Sequence, residues 1–238
     1  MIKTFKVLSV LLSYPTEELR SAIPEIRDAI REESLIPSRC LAAVERLIDE
    51  LETRDIYDNQ ERYVFLFDRT RSLSLHLFEH VHGESRDRGQ ALVDLADKYG
   101  EAGLVVEAPE LPDFLPLFLE FLSQLSLSDA RETLGQTAHI LNALGERLGK
   151  RQSPYAALFD ALVGISEAGL DSAHVEALRL GPDDDPNDLD ALDRLWEEDA
   201  VKFGAGTDPG AGCSKTSDIL HRIAMARPQP GVGGNKDA

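Results

Sequence analysis

Cysteine is scarce in this chain, since Cys40 and Cys213 are the only two among 238 residues. Two thiols so far apart in sequence form no C-x-x-C motif and cannot build a disulfide framework. This usage fits a reducing compartment, and we expect the protein to be cytoplasmic.

Long hydrophobic runs are missing as well. No stretch approaches the ~20 apolar residues that a membrane-spanning helix needs, so we expect no membrane insertion. The opening "MIKTFKVLSVLLSYP" has the basic start and short apolar run of a signal peptide, but no small-x-small cleavage site follows it. We interpret this stretch as the first helix of the fold.

Basic side chains are few relative to acidic ones. The 25 Lys and Arg residues face 43 Asp and Glu residues, which gives a net charge of -18. Such a surface repels the phosphates of a nucleic acid and attracts basic segments of other proteins. We therefore expect no nucleic-acid ligand.

Helical periodicity dominates what is present, and strand alternation is almost absent, so the predicted fold class is all-α. We expect a single-domain helical bundle over residues 1–180. An acidic linker and one amphipathic helix follow over residues 181–203. Residues 204–238 include ten Gly or Pro residues, too many for a packed core, and are expected to form a flexible tail.

Capping residues and prolines predict where individual helices begin. Thr16 is expected to cap a helix in which Pro24 marks a kink or a break. Ser38 is expected to open the next helix, and the apolar spacing predicts another helix over residues 56–67. Ser128 is expected to cap one long helix, "DARETLGQTAHILNALGERLGK".

Two later stretches predict helices of different kinds. "RGQALVDLADKYGEAG" has one apolar face, which Ala91, Leu92, Leu95 and Tyr99 are expected to bury. "FLPLFLEFLSQL" is apolar on nearly every side, which is typical of a helix at the centre of a bundle.

The stretch "SLHLFEHVHGESRDRG" contains an H-x-x-E-H formed by His76, Glu79 and His80. In an inverted-motif zinc hydrolase the two histidines would bind Zn²⁺ and the glutamate would activate water. The motif fixes only three positions, and this acid-rich chain offers many third ligands. The alternative is that both imidazoles hydrogen-bond to backbone or to nearby acids. A zinc-dependent hydrolase is the alternative function that this motif predicts.

The window from Arg62 to Arg88 differs in charge from the rest of the chain. It holds five arginines and four acids, a balance of +1. Arginines that alternate with acids suit ion pairs that join two structural elements, or a site that recognises a carboxylate or phosphate.

A long block of the sequence resembles a known family. "ERYVFLFDRTRSLSLHLFEHVHGESRDRGQALVDLADKYGEAGL", followed by "ELPDFLPLFLEFLSQL", resembles the NarJ-type molybdenum cofactor assembly chaperones of respiratory nitrate reductase. These belong to the TorD-like group of redox-enzyme maturation proteins. The resemblance extends to "FKVLSVLLSYPTEEL" and "LWEEDAVKFG", so it covers most of residues 1–203.

The family signature is "FEHVHGESRDRGQAM" preceded by "YVxLFDR". This chain departs from it at Leu92, where Met is expected, and His76 lies outside it. The matching residues are Tyr63, Leu66, Phe67, Asp68, Arg69, Phe78, Glu79, His80, His82, Gly83, Glu84, Ser85, Arg86, Asp87, Arg88, Gly89, Gln90 and Ala91.

The resemblance implies an all-helical chaperone that is not an enzyme. Such a protein binds the apo catalytic subunit of nitrate reductase at its N-terminal segment and assists insertion of the bis-guanine-dinucleotide molybdenum cofactor. It delays membrane docking and is not part of the final enzyme. No permanently bound cofactor or metal is implied; a transient contact of the cofactor or a guanine nucleotide with Arg86 and Arg88 is a further alternative. Cofactor-biosynthesis proteins are further expected partners, and a monomer is expected rather than a dimer.

We hypothesise that an apolar groove holds the partner's helix. Tyr63, Leu66 and Phe67 would form one wall, with Phe114 and Leu117 opposite. Arg69 would join this peptide-binding set, and the signature network of arginines and acids up to residue 88 would fix the intervening loop. The alternative is that these aromatic side chains belong to the ordinary core.

Overall fold

The computed structural model describes residues 1–82, 86–104, 110–169 and 172–179. Over these ranges the chain is helical, and its only extended pairing is a single antiparallel bridge between His76 and Phe114. The predicted all-α class is confirmed. The helices are α1 (Lys3–Leu11), α2 (Glu17–Ser21), α3 (Ile23–Glu33), α4 (Ser38–Thr53), α5 (Ile56–Phe67), α6 (Glu79–His82), α7 (Arg86–Glu101), α8 (Leu115–Gln124), α9 (Leu127–Gln136), α10 (Ala138–Lys150), α11 (Ala156–Ser166) and α12 (Ser172–Arg179), with a short 3₁₀ helix at Arg71–Leu73.

The described ranges bear on the prediction about membrane insertion but not on the predicted domain boundaries. None of the helices within the described ranges is long and apolar enough to cross a bilayer. The predicted linker and helix over 181–203 and the predicted tail over 204–238 lie outside the described residues, so the domain boundaries stay a prediction.

Helix α1 is positioned by its neighbours α3 and α8. Its apolar side chains Phe5, Leu8 and Leu11 are fully buried. No side chain of its own caps its start. Instead the Glu33 carboxylate, at the end of α3, accepts hydrogen bonds from the backbone N–H groups of Lys3 and Thr4 and from the Thr4 hydroxyl, each at 2.7 Å. These bonds satisfy donors that a helix start leaves unpaired.

The C-terminal helices of the described region pack closely. Helix α11 contacts α4, α9 and α10. A Cβ atom at Gly164 would lie 2.6 Å from Pro37 Cγ, and one at Gly145 would lie 3.2 Å from Phe159 Cβ. The missing side chains therefore allow α11 to approach α4 and α10 more closely than larger residues would permit.

Several predicted helix limits are confirmed. The Thr16 hydroxyl accepts a hydrogen bond from the Leu19 N–H at 3.2 Å and caps α2. The helix then breaks at Ala22, and Pro24 lies in the first turn of α3, where its missing N–H costs no hydrogen bond. The helix predicted over residues 56–67 is α5.

One further helix start is confirmed, and one capping prediction is wrong. Helix α4 begins at Ser38 as predicted, with Pro37 as its N-cap. Ser126, not Ser128, caps α9 by accepting a hydrogen bond from the Asp129 N–H at 3.2 Å. The single long helix predicted after Ser128 is two helices, because Thr137 ends α9 with backbone and hydroxyl hydrogen bonds to Leu134 O.

Helices α7 and α8 show opposite degrees of burial. Helix α8 is buried along most of its length, as its all-round apolar sequence predicts. Of the predicted buried face of α7, only Tyr99 is fully buried, and the other three side chains, Ala91, Leu92 and Leu95, are half-buried. Most of the apolar face of α7 therefore borders a partly open space rather than the core.

Candidate functional site

The loop before α6 is fastened to the start of α8 by Asp113, whose side chain is fully buried. The carboxylate accepts from the Phe78 N–H at 3.0 Å and lies 3.3 Å from His76 Nδ1. Backbone hydrogen bonds from Leu77 N to Asp113 O at 3.0 Å and from Leu115 N to Leu75 O at 2.8 Å complete the join. This junction fixes where Leu77 and Phe78 lie relative to α8.

The zinc site predicted as an alternative at His76, Glu79 and His80 is wrong in its geometry. His76 precedes α6 and pairs with Asp113. Glu79 pairs with Arg88 at 3.2 Å. No group of three His, Cys, Asp or Glu side chains in the described part of the chain is arranged to hold a metal ion. The three side chains point at separate partners rather than at one position.

The ring of His80 has a structural role. Its Nε2–H donates to Ser74 O at 2.8 Å, so this nitrogen carries a proton and cannot bind a metal. Burial, opposed by that hydrogen bond and reinforced by the nearby Arg147 guanidinium, lowers the pKa of His80. Arg147 is itself buried and donates to Ser72 O at 2.8 Å and to Leu178 O at 2.8 Å. The neutral imidazole and this arginine together hold the 3₁₀ turn.

The described arginines and acids of the predicted network differ in their surroundings. Arg88 donates to Glu79, whereas the Arg69 guanidinium lies 5.7 Å above the Phe65 ring. Burial and the nearby Glu110 raise the pKa of Asp68, and the side chain of Asp87 is exposed. The network as a site stays a prediction, and Gly83, Glu84 and Ser85 and the side chains of His82 and Arg86 lie outside the described residues.

The three residues predicted to form a groove wall lie in the core. The exposed fractions of Tyr63, Leu66 and Phe67 are 4%, 4% and 5%. The Tyr63 hydroxyl donates to Leu12 O at 2.9 Å, and its ring centroid lies 5.0 Å from that of Phe67. The Tyr155 ring lies 5.2 Å from the ring of Phe67. In this structure these side chains join α5 to the loop after α1 and to the start of α11.

The residues predicted for the opposite wall are more accessible. Phe114 and Leu117 are half-buried. The Phe114 ring contacts His76, with ring centroids 5.4 Å apart. Neither residue lines the open cleft described next, which uses other positions of α8.

A cleft of about 630 Å³ lies between α7, α8 and α9 and was not predicted from the sequence. Its interior is mostly apolar, and its edges are polar. Phe118 and Phe121 of α8 form a buried floor, while Phe78, Leu95 and Leu125 are half-buried around it. The lining residues are Leu77, Phe78, Ala91, Asp94, Leu95, Lys98, Glu101, Ala102, Phe118, Phe121, Leu125, Thr133, Gln136 and Thr137.

Tyr99 fixes the distance between α7 and the floor of this cleft. Its hydroxyl donates to Pro112 O at 2.6 Å, and its ring lies 4.8 Å from the Phe121 ring. Because Tyr99 is large and the cleft-lining Ala91 and Ala102 are small, α7 is held against the floor at Tyr99 and leaves space beside the two alanines. That size contrast is the sequence signal from which the cleft could have been inferred.

The all-helical body and its open apolar cleft have the features of a protein that binds a helical segment of a partner. The sequence model of the nitrate reductase delta subunit family matches residues 15–161. The chain belongs to this family, among the NarJ-type nitrate reductase molybdenum cofactor assembly chaperones, and it is not an enzyme.

Curated relatives agree with this placement. The nitrate reductase molybdenum cofactor assembly chaperone NarJ of Escherichia coli (strain K12) is 44% identical over 220 residues, 92% of each chain. The probable assembly chaperone NarW of the same strain is 40% identical over 202 residues, 85% of this chain and 84% of the relative. The probable NarJ of Bacillus subtilis (strain 168) is 35% identical over 167 residues, 69% of this chain and 88% of the relative.

Proposed function

We propose that this protein is a cytoplasmic, monomeric chaperone that binds the apo catalytic subunit of respiratory nitrate reductase at its N-terminal segment. Bound in this way, it assists insertion of the molybdenum cofactor and delays docking at the membrane. Family membership supports the class of function. The cleft between α7, α8 and α9 is the observation that supports binding of a helical segment.

The shape and lining of the cleft suit the apolar face of an amphipathic helix. Phe118 and Phe121 of α8 and Leu125, the residue directly after this helix, present apolar side chains to the cleft. Leu95 approaches from α7, and Phe78 lies at the loop side. A partner helix with apolar residues along one face would bury its anchors in this space.

The overall charge supports the same kind of partner. The net charge of -18 attracts a basic segment and speeds its encounter with the protein. Association with a basic peptide should therefore slow as salt rises, because salt screens charges that lie in solvent.

Contact of the peptide with Tyr63, Leu66, Phe67, Arg69, Phe114 and Leu117 is a separate proposal. Phe114 and Leu117 are half-buried and near the surface, so a ligand could reach them without rearrangement. The three α5 side chains could touch a ligand only if the contacts with Leu12 and Tyr155 opened first.

A transient contact with the cofactor's dinucleotide arms is likewise a separate proposal, with no cofactor bound permanently. Arg88 is already paired with Glu79, which lowers its value as a phosphate ligand. A guanine nucleotide that binds the native protein must raise its melting temperature. Unchanged melting at millimolar nucleotide would contradict this contact.

Calorimetric titration with a synthetic peptide that copies the partner's N-terminal segment tests the cleft. Leu95→Asp places a charge inside the cleft, whereas Val93→Asp places the same charge on the exposed side of the same helix, where Val93 is 53% exposed. We expect Leu95→Asp to weaken peptide binding at least tenfold and Val93→Asp to leave it nearly unchanged. Equal affinities for the two variants, with unchanged circular dichroism, would contradict binding in this cleft.

A further inference from the structure

The edge of the cleft formed by α7 carries an ordered series of charges. The cleft-lining residues of α7 are Ala91, Asp94, Leu95, Lys98, Glu101 and Ala102. At about 100° per residue, the three apolar ones form a central stripe and the three charged ones lie along one flank. The α9 edge has only uncharged polar side chains, which are Thr133, Gln136 and Thr137.

Lys98 is the one cation among the described residues that line the cleft. Asp94 and Glu101 lie one turn to either side of it, at spacings that allow ion pairs within a helix. Asp94 instead accepts a hydrogen bond from Gln90 Nε2 at 2.8 Å. Lys98 forms no ion pair within the described ranges, so its ammonium group can pair with a ligand.

We propose that Lys98 makes the cleft selective for a helix that carries a carboxylate between two cations on the flank facing α7. The cations would face Asp94 and Glu101, and the carboxylate would face Lys98. This inference rests on the proposed function, because it names the charge order of the ligand in the same cleft. A uniformly basic helix, which the overall charge alone would favour, would place a cation against Lys98.

The same arrangement disfavours anionic ligands in the cleft. A phosphate group near Lys98 would also lie near the two carboxylates of Asp94 and Glu101, whose charges oppose it. The occupant that satisfies all three side chains is therefore a peptide of alternating charge rather than a nucleotide.

Three synthetic helical peptides of equal length and equal net charge test this proposal. They share one apolar face and differ on one flank, which carries cation–carboxylate–cation, three cations, or carboxylate–cation–carboxylate. Compensating changes on the solvent side keep the total charge equal. Titrations at low salt compare the natural protein with Lys98→Glu and with the control Arg31→Glu, which makes the same charge change at an exposed site on α3.

The natural protein should prefer the first peptide over each of the others by about two- to fivefold for each mismatched pair. Lys98→Glu should prefer the peptide with three cations, and Arg31→Glu should keep the natural order. An unchanged order in Lys98→Glu would overturn the charge selectivity while leaving cleft binding in place. If Leu95→Asp binds all three peptides as the natural protein does, binding in the cleft itself is wrong and this inference fails with it.

Discussion

Helices α7 and α11 differ in how closely they pack against the rest of the protein. Seven of the eleven residues of α11 are buried, whereas Tyr99 is the only buried side chain among those described for α7. Two glycines bring α11 against its neighbours, while α7 borders a cleft of about 630 Å³. The packing of α11 therefore stabilises the fold, whereas α7 leaves apolar surface that a partner can cover.

The largest change in stability should follow from truncating a buried aromatic side chain that packs against the start of α11. Phe67→Ala removes a side chain that is 5% exposed and in ring contact with Tyr63 and Tyr155, so the cavity should cost about 3–5 kcal/mol of unfolding free energy. Phe78→Ala, in the half-buried cleft lining, should cost less and should weaken peptide binding more. Urea unfolding monitored by circular dichroism gives both stabilities.

This pair of variants distinguishes a core residue from a residue that lines the cleft. If Phe67→Ala lowered peptide affinity without lowering stability, Phe67 would be a contact residue, as the sequence hypothesis holds, and the contrast between α7 and α11 would be incorrect.

Replacing a glycine with alanine should change the stability by a smaller amount, with opposite signs in α11 and α7. Gly164→Ala places a methyl group 2.6 Å from Pro37 Cγ, and this overpacking should cost about 1–3 kcal/mol. Gly100→Ala, on α7, meets no atom within 4 Å and should stabilise the protein by about 0.5–1 kcal/mol through helix propensity. Thermal unfolding of the two variants tests the contrast, and a stabilised Gly164→Ala would contradict close packing of α11.

The smallest expected effect concerns pH and the polar cap on α1. Burial alone would raise the pKa of the Glu33 carboxyl, but the hydrogen bonds from Thr4 and Lys3 lower it below the ordinary value of 4.5. The stability from this cap is therefore present above pH 4.5 and is lost as the pH falls through the lowered folded-state pKa. Glu33→Gln should be less stable than the natural protein near neutrality, and this difference should shrink on acidification. A stability difference that stays constant on acidification would contradict this role of the Glu33 carboxylate.

Local sequence patterns predicted the helices better than they predicted the site. The limits of α5 and the break near Pro24 follow from apolar spacing and proline chemistry, which act within a few residues. Ser126 and Ser128 are both suitable caps, and only the hydrogen bond to the Asp129 N–H decides between them. The break at Thr137 likewise depends on its backbone and hydroxyl hydrogen bonds to Leu134 O, which the helical pattern on both sides does not indicate.

The site depends on distances between helices, which a single sequence does not specify. The signature block correctly indicated the family, but its aromatic residues on α5 lie in the core. The zinc motif failed because His76 and His80 do not share one helix and each has another partner. The cleft arises from the contrast between Tyr99 and the small residues beside it, and its floor comes from the buried face of α8.

Hydrogen–deuterium exchange with and without the N-terminal peptide of the nitrate reductase catalytic subunit tests the central claim most directly. Binding in the cleft predicts new protection in residues 91–102, 118–125 and 133–137, with α4 and α11 unchanged. Protection confined to α5 around residues 63–69, with none in α7, would contradict the cleft as the binding site.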